Sequence, residues 1–167
     1  MLAGDDEAAA RTHPVEPAEA PRTRLDLGPL ADVLGYHLAQ AAVVTVDLFI
    51  RHVGAPFNLR KVEYSLLMLL LANGPLSPKR LAQTLRLSNP NLTLLLDRLQ
   101  ERGLLRHERN ERDRRSQNIV LMPEGLALSQ QAAQVSPSME RELLDRLSPA
   151  ERAMLIELLM KAAGTHV

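Results

Sequence analysis

The chain has no cysteine and no tryptophan, and only two tyrosines and two phenylalanines. Without thiols it can form no disulfide framework, no thiolate metal site and no cysteine redox switch. Aromatic residues make up 2% of a chain that is 46% apolar. Any core must therefore be built from Leu, Val, Ala and Met, a composition that suits packed helices. No apolar run reaches about 18 residues without a charged or polar break, and no hydrophobic signal segment opens the chain. Neither a membrane partner nor export is expected, and the default location is cytoplasmic.

Catalytic constellations are also missing. The five histidines (His13, His37, His52, His107 and His166) are scattered, with no His-x-x-x-His or Glu-x-x-His pairing. There is no glycine-rich phosphate loop, no Gly-x-Ser-x-Gly and no paired carboxylates in a cleft-like context. The chain is not expected to be an enzyme, and nothing calls for a metal or another cofactor. The 167 residues allow one domain, or a small one plus an extension.

The informative stretch is residues 77–122. Ser77 can cap a helix with Pro78 in its first turn, where a missing N–H costs nothing, and Leu81 and Leu85, with Ala82, supply its inward stripe. After the short turn Arg86-Leu87-Ser88, either Ser88 or Asn89 can cap a second helix, with Pro90 near its start. There Leu92, Leu95, Leu96 and Leu99 fall at i, i+3, i+4 and i+7, so one face is core. Asn89, Asn91, Thr93, Leu94, Asp97 and Arg98 lie off that stripe. Gly103 is a natural helix stop, followed by Leu104–Arg109, a charged tip at residues 110–115 and a return over Ile119-Val120-Leu121. Two short helices and a hairpin with an arginine-rich tip predict a winged helix-turn-helix, which places its second helix in a DNA major groove.

Charge is concentrated in the same stretch. Residues 79–118 hold ten Lys or Arg against five acids, a local net of +5 in a chain of net zero. A solvated, charge-mixed loop would explain Arg106, Arg109, Arg112, Arg114 and Arg115 alone, because Glu108, Glu111 and Asp113 sit among them. The whole module fits better as a local positive field that meets phosphates on an otherwise neutral protein.

Leu87-Ser88, Asp97-Arg98-Leu99 running to Gly103-Leu104, the wing Asp113-Arg114-Arg115-Ser116, then Val120-Leu121 and Gly125 together resemble the multiple-antibiotic-resistance regulator (MarR) family. The resemblance spans about Leu27 to Gly164. It implies a sequence-specific double-stranded DNA-binding regulator, a repressor released by a small aromatic or phenolic effector. The alternative is a winged protein-interaction module without specific DNA binding. DNA contacts would come from Ser88, Asn89, Pro90, Asn91, Thr93 and Arg98 on the second helix, and from Arg109, Arg112, Asp113, Arg114 and Arg115 in the wing. Asp113 would hold an arginine of the tip, and Arg114 or Arg115 would reach a minor groove or flanking phosphate. The absence of cysteine excludes the peroxide sensing used by some relatives. Two departures are visible. Leu94 stands where the family often has a basic or polar residue, and Met122-Pro123 replaces the usual threonine.

Around this module the sequence predicts four segments: a disordered acidic tail (1–24), an N-terminal dimerisation helix (25–56), the winged lobe (57–122) and C-terminal dimerisation helices (123–167). The acidic tail could also act as a flap competing with DNA. The first helix should run from Leu25 to about Val53 and stop at Gly54-Ala55-Pro56. A second should run from Leu59 to Ala72. A third, from Pro123 to about Leu147, has Pro137 inside it, where a kink or interruption is expected. Ser148-Pro149-Ala150-Glu151 is a capping box opening the last helix. The resulting fold class is mainly α with a small β wing. Its terminal helices carry more apolar surface than a lone winged domain covers, so a two-fold homodimer on a pseudo-palindromic operator is expected, with a monomeric bundle as the alternative. Tyr36, His37, Arg51, His52, Arg60 and Tyr64 are the candidate effector-binding residues near the junction of helices and lobe. Each could equally be an ordinary surface or interface residue.

Overall fold

The computed structural model describes residues 25–109 and 117–164. The expected tail and the wing tip, with Arg112, Asp113, Arg114 and Arg115, lie outside the described residues.

The elements follow in the order α1 (Leu34–Phe49), α2 (Ala55–Phe57), α3 (Lys61–Asn73), α4 (Pro78–Leu85), α5 (Asn89–Glu101), β1 (Leu105–Arg109), β2 (Gln117–Leu121), α6 (Pro123–Leu144) and α7 (Pro149–Ala163). This is the mainly helical fold with a two-stranded wing that the sequence predicts. The strands pair antiparallel from Leu105 opposite Leu121 to Arg109 opposite Gln117. Leu76 adds an isolated antiparallel bridge to β2, exchanging two backbone hydrogen bonds with Ile119 at 2.8 and 3.2 Å. The hairpin is thereby fixed to the segment just before α4.

Two helix boundaries differ from expectation. The first helix does not begin at Leu25: Gly28–Asp32 form a separate 3-10 turn, and Val33 is extended, which breaks the helical path before Leu34. Nor does Gly54-Ala55-Pro56 end it. The chain widens into a π turn over Ile50–Gly54, where the Ala55 N–H reaches back to the Ile50 carbonyl. Pro56 has no N–H to give, and the wider turn carries the chain past it into α2. The stop comes at Asn58, whose φ of 50° is left-handed. Leu34–Phe57 is consequently one helical stretch of 24 residues, long and apolar enough to cross a membrane by length and composition alone. It also carries Asp47, Arg51 and His52. At Pro137, where a kink or interruption is expected, α6 runs on without interruption. The flanking Ser136 and Ser138 donate their hydroxyls to the carbonyls of Ala132 (3.3 Å) and Val135 (2.7 Å).

Among the described residues there are two apolar cores. The larger joins Leu66 and Leu70 of α3, Leu81 of α4, Leu92, Leu95, Leu96 and Leu99 of α5, and Leu104, Leu105 and Ile119 around the hairpin. The smaller gathers Phe49, Val53, Leu59, Leu67 and Ala132, with Tyr64, Met68, Val135 and Met139 against it. By contrast α7 has no buried residue. Val43 on α1 and Met154 on α7 are 67% and 63% exposed.

Candidate nucleic-acid interface

Helix α4 opens as its sequence directs. Pro78 is in the first turn, and Ser77 accepts a hydrogen bond from the Arg80 N–H. The turn to α5 relies on Arg86, which adopts a left-handed φ of 53°. Leu87 then donates its N–H to the Ala82 carbonyl at 2.9 Å. Ser88 occupies the N-cap position of α5 but its hydroxyl takes no capping hydrogen bond. The cap therefore rests on backbone geometry rather than on the side chain.

In α5 the four predicted core leucines are buried: Leu92, Leu95, Leu96 and Leu99. Asn89, Pro90, Asn91, Thr93, Leu94 and Asp97 are exposed. The Thr93 hydroxyl donates to the Asn89 carbonyl at 3.0 Å, so it is used within the helix.

Arg98, expected with the DNA-facing set, has a different partner. Its guanidinium lies 3.2 Å from Glu63, a carboxylate only 2% exposed on α3. Arg102 approaches the same carboxylate at 3.7 Å and reaches the Phe57 carbonyl. The Arg60 N–H closes the set at 2.8 Å. A buried carboxylate needs such partners to offset its desolvation. Here they tie the C-terminal half of α5 to the start of α3. Charge counting misses Glu63 because a lone acid in a leucine-rich helix reads as surface.

Around the helix-turn-helix, Lys79, Gln83, Arg86 and Asn89 line an open hollow of about 640 Å³ between α4 and the start of α5. Lys79 and Arg86 contribute to the local positive charge of the sequence, which gives them no site; the fold does. The Arg86 guanidinium also meets the Ala163 carbonyl at the end of α7. On the hairpin, Arg106 pairs with Glu108 at 2.6 Å, and Arg109 is exposed where β1 ends. His107, which no sequence motif singles out, borders a hollow with Asn89, Thr93 and Asp97.

The effector candidates fall into separate groups of contacts. Tyr36 and His37 stack edge-on at 5.4 Å on α1. Arg51 bonds Asp47 at 3.0 Å and Glu142 of α6 at 3.1 Å, while His52 approaches Glu142 at 3.4 Å. The Arg51 hydrogen bond, then that of His52, holds the Glu142 carboxyl below its usual range. Tyr64 shares a hydrogen bond with Ser136 and packs edge-on against Phe49. Arg60 is exposed at the start of α3. Glu142 and Ser136, partners of three of these six, carry no recognisable sequence signal because they lie about 70 to 90 residues away. Among the described residues no group of His, Asp or Glu could hold a metal ion.

A family model described as the MarR family matches residues 57–116. The HTH-type transcriptional regulator PecS of Dickeya dadantii is 33% identical over 141 residues, 83% of each chain. The transcriptional repressor CouR, solved bound to a 23-mer DNA duplex, is 32% identical with a TM-score of 0.76, covering 84% of this chain and 99% of that one. CouR solved bound to p-coumaroyl-CoA is 30% identical with a TM-score of 0.72, covering 84% and 98%.

Proposed function

The chain belongs to the MarR family and is a DNA-binding transcriptional regulator; from that premise we propose a homodimeric repressor that a small aromatic or phenolic molecule releases from a pseudo-palindromic operator. The observation that carries the DNA reading is α5, whose leucines are all buried except Leu94 while Asn89, Asn91 and Thr93 face outward at its N-terminal half. That half of a recognition helix is the part that meets base edges.

The dimer reading is supported by the apolar faces of α1 and α7, exposed in the single chain. Such faces on the terminal helices suit a two-fold partner better than solvent. The 24-residue apolar stretch is read the same way, as a subunit interface within a cytoplasmic protein rather than a membrane span. In this organisation residues 25–56 and 123–167 serve dimerisation and 57–122 serve DNA. The proposed DNA-contacting set is Ser88, Asn89, Pro90, Asn91 and Thr93 with Arg109, Arg112, Asp113, Arg114 and Arg115; Arg98 supports the helix from behind. The effector reading draws on CouR, solved with p-coumaroyl-CoA, and on Tyr36, His37, Arg51, His52, Arg60 and Tyr64 as its candidate contacts.

Binding to labelled duplex DNA over a salt series tests the whole. A dimer engaging several phosphates should show a steep fall of log K with log salt, and p-coumaroyl-CoA or a related phenolic ligand should release it. A flat salt response would favour the protein-interaction alternative.

A further inference from the structure

Leu94 is 63% exposed on a helix whose other four leucines are 5% exposed or less. At about 100° per residue, those four centre on one side of α5, and Pro90, Leu94, Asp97 and Glu101 lie opposite. Asp97 and Glu101 give the C-terminal half of that outer face a negative charge. The nearby cations do not cancel it toward the outside, because Arg98 and Arg102 turn back to Glu63. The half able to approach DNA is therefore the N-terminal one, whose centre is Pro90 and Leu94, with Asn91 and Thr93 to either side.

A lone exposed leucine needs no explanation on an ordinary surface. On the face that enters a groove it does, because it covers base edges that it cannot hydrogen-bond. Over the amino or carbonyl groups of a G·C pair a leucine would displace water and return nothing. The major-groove feature it can match is the C5 methyl group of thymine. We infer that Leu94 is a specificity-determining residue that packs on a thymine methyl in each half-site, flanked by the polar contacts of the asparagines. This inference rests on the DNA-binding reading and adds to it a chemical requirement on the operator.

The test begins with a duplex selected by the full-length protein from a randomised pool. Each thymine is then replaced by deoxyuridine, symmetrically in both half-sites, which removes the methyl and leaves base pairing intact. One symmetric position should cost wild type about fourfold per methyl, the equivalent of roughly 0.8 kcal/mol for one buried carbon. Leu94→Ala, whose melting should match wild type because the side chain is exposed, should bind more weakly and lose its response to uracil at that position. Leu94→Lys should also lose the response, and should steepen the salt dependence. An enriched duplex on which wild type ignores uracil everywhere overturns the inference alone, as does a Leu94→Ala protein that keeps the full uracil penalty. Failure to enrich any duplex overturns the DNA-binding reading and the inference with it.

Discussion

Glu63 ties two arginines and a backbone N–H of separate elements to one carboxylate. Arg98→Ala should therefore act through folding. We expect a loss of about 1–2 kcal/mol in urea denaturation, short of the roughly 3–5 kcal/mol for breaking a fully buried pair. The discount follows from Arg98 being 41% exposed and from Arg102 remaining on the carboxylate. If Arg98→Ala instead left stability unchanged and abolished phosphate contact, Arg98 would belong with the DNA-facing set after all. A second residue-scale prediction concerns acid. Glu142 has a folded pKa below its ordinary value of 4.5 through Arg51 and then His52. A depressed carboxylate contributes stability that is complete above its unfolded pKa and is lost as pH falls through the folded one. Wild type should thus lose more melting temperature than Glu142→Gln on acidification below 4.5; equal acid lability would show that the contact adds nothing. Neither Glu63 nor Glu142 was legible in the sequence, because each derives its role from residues far along the chain.

At the scale of elements, α5 was readable because its leucines repeat at helical spacing and a glycine follows at the right place. The path from α1 to α3 was not. Gly-Ala-Pro is a sound local stop signal, yet packing of Phe49, Val53 and Leu59 in one core holds the chain helical through a π turn beyond it. Tertiary burial outweighs local propensity there. Pro137 likewise sits inside α6 without ending it. Gly125 is part of the family resemblance, and the fold supplies the reason: an added Cβ would stand 1.8 Å from the Leu104 carbonyl oxygen. Gly125→Ala must push the start of α6 off the hairpin. It should cost at least the roughly 1–3 kcal/mol of ordinary overpacking, seen as a lower urea midpoint. A melting curve equal to wild type would show that α6 can shift without cost.

For the whole molecule, the excess apolar surface of the terminal helices was legible in the sequence as the spacing of their leucines, and the exposed faces of α1 and α7 leave the same deficit. Size measurement should give about twice 18.5 kDa, and removing residues 148–167 should abolish both dimerisation and operator binding. A truncated monomer that still binds the operator would refute the two-fold account. The measurement that bears most directly on the central claim, sequence reading by the outer face of α5, is the ratio of affinities for a selected duplex and a scrambled one at fixed salt. Wild type should prefer its selected duplex by roughly 10³-fold or more. Asn91→Ala should weaken the selected complex by roughly 1–3 kcal/mol and leave the scrambled one untouched. Equal loss on both duplexes, or no preference in the wild type, would contradict it.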